Sequence, residues 1–183
     1  MNFPLCPRFQ AVLFDMDGTL LDTLSDMQDA VNHILLENGW PQRTLEEIRA
    51  FVGNGAAKLM ERAIPEPIAP QRFHEILVSY KDWYQAHNCV KTAPYPGIPE
   101  VLAELEKMGV KTAVVSNKPD ATTKALAEKF FPGMPALGQR DGVDPKPSPS
   151  LVAQALSDLG VRPENAVYVG DSEVDAVSYT HLR

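Results

Sequence analysis

The chain has 183 residues, 44% of them hydrophobic, enough for one sizeable core or for a core carrying a smaller inserted domain, and this excludes a disordered tail. Its 17 basic and 24 acidic residues leave a formal charge of -7 with no Lys/Arg-rich run, so nucleic acid is not an expected partner. The stretch from Met1 to Arg8 lacks a charged region followed by an apolar core, and no segment approaches the ~18 uninterrupted apolar residues of a membrane span; the expectation is a soluble cytoplasmic protein without a membrane partner.

The first element is the apolar run Ala11 to Phe14, which reads as a buried strand of the kind found in parallel sheets covered on both faces. It leads straight into Asp15-Met16-Asp17-Gly18-Thr19. After Asp22 the pattern changes, and Leu24, Met27, Val31, Ile34 and Leu35 recur at helical spacing until Gly39 and Pro41. Thr44 and Glu47 form a capping-box signature that predicts a second helix from about residue 45, ending at Gly53-Asn54-Gly55. Leu59, Met60, Ala63 and Ile64 mark a third helix, closed by the proline-rich residues 65–70, and a fourth runs from Gln71 to His87. His33, His74 and His87 fall at no metal-ligand spacing, and Trp40, Trp83 and Tyr84 read as packing within these helices. Four successive helices with no strand between them predict a helical unit, residues 23–92, inserted into an α/β chain. Cys6 and Cys89, outside any Cys-x-x-Cys spacing, read as reduced thiols.

From Ile98 helix and strand alternate. Val101, Leu102, Leu105 and Met108 mark one face of a helix capped by Gly109, and Thr112 to Val115 form a strand that ends in Ser116-Asn117. Pro119 forces a break before a helix from Ala121 to Phe131, and Ala136 to Gly138 form a short strand. The loop from Asp141 to Pro147 carries Lys146. Ser148 as cap, with Pro149 at the first helical position, opens a helix that closes at Gly160. The strand Ala166 to Val169 then ends in Gly170-Asp171-Ser172.

Three strands thus end in polar residues: Asp15 and Asp17, Ser116 and Asn117, Asp171 and Ser172. In a right-handed, doubly wound parallel sheet such ends converge on one crevice, which Lys146 from a loop before a helix can also reach. Gly18 lets the chain turn away while its amides stay close to a ligand, and Thr19 offers a hydroxyl. Several carboxylates in one crevice require a positive charge between them, and Mg²⁺ takes a few carboxylates plus water and phosphate oxygens. The expected site therefore binds an anion around a divalent cation.

These residues resemble the haloacid-dehalogenase superfamily, in its phosphoglycolate-phosphatase-like branch with a helical cap inserted after the first strand. The resemblance covers nearly all of residues 10–177 and rests on Asp15-Met16-Asp17-Gly18-Thr19, Ser116-Asn117, Lys146 and Gly170-Asp171-Ser172-Glu173-Val174-Asp175 in order, with Val52-Gly53-Asn54-Gly55 and Leu59-Met60-Glu61-Arg62 similar to the phosphoglycolate phosphatase cap. It implies a core of residues 10–22 and 93–177, a cap of residues 23–92, and a Mg²⁺-dependent phosphatase acting on a small phosphorylated metabolite. In that reading Asp15 is the nucleophile that forms an aspartyl-phosphate, and Asp17 protonates the leaving oxygen and later activates water. Asp15 and Asp171 hold Mg²⁺ through carboxylates and Asp17 through its main-chain carbonyl, while Asp175, with Ser172, lies in the layer behind the ligands. Ser116 and Lys146 bind the phosphoryl group, with Asn117 and Lys118 as further candidates. Asn54 and its glycines would bring amides to the leaving group and favour a small carboxylate such as phosphoglycolate.

Residues 178–183 do not resemble the family, which leads to the expectation of a C-terminally truncated scaffold with reduced stability. A β-phosphoglucomutase-like phosphomutase shares Asp15 and Asp17 and is the enzymatic alternative; an inactive phosphate-binding remnant is the other. Dehalogenation does not use the second acid, so Asp17 argues against it. A monomer or a homodimer is expected.

Overall fold

The computed structural model describes residues 9–180, with side chains as far as Ser178. The expectations for Cys6, for the first eight residues and for the last three of the tail lie outside the described residues. The chain forms two units, one from residues up to Leu21 together with those from Pro94 onward, the other from Asp22 to Ala93. It passes between them at two short strands, β2 (Leu21–Asp22) and β3 (Ala93–Pro94).

The first unit is an α/β fold. Its sheet contains β1 (Ala11–Phe14), β4 (Lys111–Pro119), β5 (Ala136–Gln139) and β6 (Ala166–Val169), all parallel, in the order β5-β4-β1-β6. Parallel neighbours require crossovers, supplied by α5 (Ile98–Lys107), α6 (Asp120–Phe130) and α7 (Ser150–Leu159); α8 (Glu173–Thr180) follows β6. Alternation along each strand sends Ala11, Leu13, Ala113, Val115 and Ala166 to one face. There they meet Leu151, Val152, Ala155 and Leu156 of α7 in a buried core.

Three details differ from the sequence pattern. β4 continues through Ser116, Asn117 and Lys118 to Pro119, its register against β5 shifting after Val115, because the polar residues are buried in hydrogen bonds instead of turning out to solvent. α7 begins at Ser150, two residues after the expected cap: the first helical bond runs from the Ala153 amide to the Pro149 carbonyl, which makes Pro149 the capping residue, while Ser148 accepts from the Ser150 amide at 3.4 Å. The apolar face of α5 is only partly covered, Leu102 and Leu105 being half-buried while Val101 is 48% and Met108 43% exposed.

The second unit is helical: α1 (Leu24–Glu37), α2 (Leu45–Phe51), α3 (Gly55–Ala63) and α4 (Pro70–His87). Met27, Val31, Ile34 and Leu35 of α1 meet Ile48, Leu59, Met60, Ile76, Tyr80 and Tyr84 in one core. Trp40 and Trp83 pack against it, and Trp83 stacks between His33 and His87 at centroid distances of 4.9 and 4.0 Å. Thr44 caps α2 as read from the sequence, accepting from the Glu47 amide at 3.2 Å while the Thr44 amide donates to Glu47 at 2.8 Å. Among the described residues no helix is long and apolar enough to cross a membrane.

Candidate active site

Every expected site residue except Asn54 belongs to the α/β unit. Asp15 follows β1 directly, and its amide donates to the Val169 carbonyl at 2.9 Å, so the end of β1 is tied to the end of β6. The chain then folds into a tight turn in which the Leu20 and Leu21 amides donate to the Met16 carbonyl at 3.1 and 3.0 Å and the Gly18 amide to the Leu21 carbonyl at 3.0 Å. Gly18 holds φ at +80°, and a Cβ there would collide with the Asp171 carboxylate. Only glycine meets both demands. Gly170 is needed for a similar reason, since a Cβ there would strike the carboxylate of Asp175.

Lys146 sits at the centre, 3% exposed. Its ammonium lies 2.9 Å from Asp15 Oδ1 and 2.7 Å from Asp175 Oδ1, and it also donates to the Val115 carbonyl at 3.2 Å and to the Tyr168 hydroxyl at 3.0 Å. Asp15 Oδ1 accepts from the Met16 amide as well, at 2.7 Å. The other oxygen of Asp175 accepts from the amide and hydroxyl of Ser172 at 3.1 and 2.6 Å, which fixes the start of α8. Lys118, also buried, pairs with Asp17 at 3.1 Å, and its amide donates to the Ser116 hydroxyl at 3.3 Å.

The electrostatics follow from this crowding. Burial pushes the Asp15 carboxyl up to about 6, partly offset by the Lys146 ammonium and reinforced by Asp175 and Asp17. Burial and the neighbouring Asp175 also raise Asp171. Four carboxylates here face two ammonium groups, an excess of two negative charges. Asp15, Asp171 and Asp175 can each offer an oxygen within 4.8 Å of the others. An all-oxygen donor set with a surplus of two negative charges fits a hard divalent cation such as Mg²⁺.

The Asn117 side chain donates to the Lys146 carbonyl at 3.0 Å and accepts from the Lys146 amide at 2.7 Å, so it grips the main chain of the loop that carries the lysine. The Thr19 hydroxyl is buried and has no hydrogen-bond partner among the described residues. In the helical unit, Asn54 precedes α3 and accepts from Arg62 at 2.9 Å, and the same guanidinium donates to the Phe51 carbonyl at 2.7 Å. Tyr168 was not singled out by sequence, because a tyrosine within a short apolar strand carries no signal beyond packing.

A family model for the haloacid dehalogenase-like hydrolases matches residues 12–179. The chain belongs to this family. Among relatives of this haloacid dehalogenase-like hydrolase, a phosphoglycolate phosphatase of Pseudomonas putida is 34% identical over 174 residues, 90% of this chain and 63% of its own. An N-acetylmuramic acid 6-phosphate phosphatase of Pseudomonas aeruginosa is 33% identical, covering 93% of this chain and 77% of its own. A crystal structure from Lactobacillus delbrueckii subsp. bulgaricus, classed with the phosphoglycolate phosphatases, superimposes with a TM-score of 0.88 at 34% identity, covering 95% of this chain and 83% of that one. The chain spans a little under two thirds of the length of the Pseudomonas putida relative.

Proposed function

We propose that this haloacid dehalogenase-like hydrolase is a Mg²⁺-dependent phosphatase that hydrolyses a small phosphomonoester, phosphoglycolate being the first to test, through an aspartyl-phosphate on Asp15. The observation that carries the reading is Asp15 held 2.9 Å from the buried Lys146 within a cluster that includes Asp171 and Asp175. A carboxylate can approach a phosphate dianion only if positive charge offsets the repulsion, and Lys146 supplies part of it. Mg²⁺, when bound by Asp15 and Asp171 with the Asp17 carbonyl and Asp175 beside them, supplies the rest.

In the first half-reaction the Asp15 carboxylate forms a bond to phosphorus while the bond to the ester oxygen breaks, and Asp17 hands that oxygen a proton. The alcohol leaves. In the second half Asp17 takes a proton from water as that water attacks phosphorus, the acyl-phosphate bond breaks, and Asp15 and inorganic phosphate are released. Ser116, whose hydroxyl oxygen accepts from the Lys118 amide, keeps its O–H to donate to the phosphoryl group. We take residues 10–22 and 93–177 as the unit carrying this chemistry and residues 23–92 as a cap, with Asn54 as a candidate for substrate choice.

The test is a phosphate-release screen over small phosphomonoesters with and without Mg²⁺, repeated with Asp15→Asn. Mg²⁺-dependent release that vanishes in the variant supports the reading. Release that survives Asp15→Asn, or none from any ester, removes it. Return of the phosphoryl group to a sugar without net release would favour the phosphomutase.

A further inference from the structure

The ammonium of Lys146 can neutralise Asp15 only if it is aimed there, and a lysine has four rotatable bonds with which to point elsewhere. The protein limits that freedom at both ends of the residue. At the main chain, the Asn117 amide exchanges two hydrogen bonds with the Lys146 peptide groups, pinning the loop to β4 across 29 positions of sequence. At the tip stands Tyr168, whose hydroxyl donates to the Val115 carbonyl at 2.8 Å and accepts from the Lys146 ammonium at 3.0 Å. Val115 lies one residue past the last β1–β4 pair, Phe14 with Val114, and its carbonyl takes both the tyrosine and the lysine.

Tyr168 is itself fixed by the fold. It pairs with Leu13 in the β1–β6 register, and its ring packs against the core beneath the sheet. The hydroxyl is thus carried by rigid strands, whereas Lys146 comes from a loop.

We propose that Tyr168 is a positioning residue for this reaction: its hydroxyl, braced on the Val115 carbonyl, holds the Lys146 ammonium against Asp15, while Asn117 holds the lysine's main chain. Tyr168 makes no contact with substrate in this scheme. It acts through Lys146, and the proposal rests on the phosphatase reading above.

The test is a double-mutant cycle of Tyr168→Phe and Lys146→Ala, read as kcat and KM for phosphate release. Phenylalanine keeps the ring and its packing, so the loss isolates one oxygen. Tyr168→Phe is expected to lower kcat about tenfold, the scale of one hydrogen bond to a charged group, with a smaller change in KM. In the Lys146→Ala background the same substitution is expected to change kcat less than twofold, because the group it positions is gone. Equal losses in both backgrounds would overturn the proposal, since a packing role does not depend on Lys146. A second arm needs no turnover: in calorimetry with inorganic phosphate and Mg²⁺, Tyr168→Phe should weaken binding several-fold in wild type and not in Lys146→Ala. Unchanged affinity overturns it as well. Wild type that releases no phosphate from any ester defeats the phosphatase reading, and the calorimetric arm then decides this one.

Discussion

Asp15 is held in an environment that suits a reaction better than a stable fold. Its carboxylate is buried and its pKa rises to about 6, so at neutral pH it is charged in a place that resists charge. Asp15→Asn keeps the shape and removes the charge, while Lys146 retains Asp175, Tyr168 and Val115. The metal-free variant at pH 7 should therefore unfold at the same temperature as wild type or higher, while turnover is lost; a large drop in melting temperature would mean that the Asp15–Lys146 pair is a structural element first. That Asp15, Asp17, Ser116 and Asp171 belong together was legible because each follows or closes an apolar strand, where polar residues have little reason to sit unless they face a crevice; Asp175, on the first turn of α8, was reached only through the family resemblance. Tyr168 and the grip of Asn117 on Lys146 were not. Both depend on hydrogen bonds to main-chain groups 29 and 53 residues away, which no periodicity records.

At the level of elements, the sequence pattern gave strands and helices where local chemistry is self-sufficient. The Thr44–Glu47 capping box is complete within four residues, and α2 starts where it says. β4 runs past its expected end because the fate of Ser116 to Pro119 is decided by partners on other elements. Asp26 shows the same limit in the helical unit. On the first turn of α1 and 1% exposed, it accepts from the amides of Val90, Lys91 and Thr92 at 2.9 to 3.1 Å and from the Thr92 hydroxyl at 2.7 Å. One carboxylate thus closes the helical unit by binding its last residues to its first helix. Asp26→Ala leaves those buried donors unpaired and should cost on the order of 3 kcal/mol, read by denaturant unfolding. A loss under about 1 kcal/mol would show that water replaces the carboxylate easily.

For the whole molecule, the charge surplus links stability to pH and metal. Asp15 keeps a proton in the folded state up to about pH 6, whereas the unfolded chain loses it near its ordinary value of 3.8. Between those limits the folded state binds more protons, so the metal-free protein should lose stability as pH rises from about 4 to about 6, by on the order of 3 kcal/mol from this group, and then level off. The raised Asp171 acts in the same direction. If Mg²⁺ binds the folded arrangement of carboxylates, as proposed, it should raise the melting temperature most above pH 6. A melting temperature indifferent to Mg²⁺ at pH 7 would speak against the carboxylate cluster as its site.

The covalent step on Asp15 is the claim on which the rest depends, and it can be caught chemically. An acyl-phosphate is reduced by borohydride to an alcohol, so a reaction quenched with borohydride during turnover of a small phosphomonoester with Mg²⁺ should yield a peptide in which residue 15 has become homoserine, and the signal should disappear without Mg²⁺. Phosphate release with the Asp15 peptide unchanged, or a modification at another carboxylate, would contradict the account.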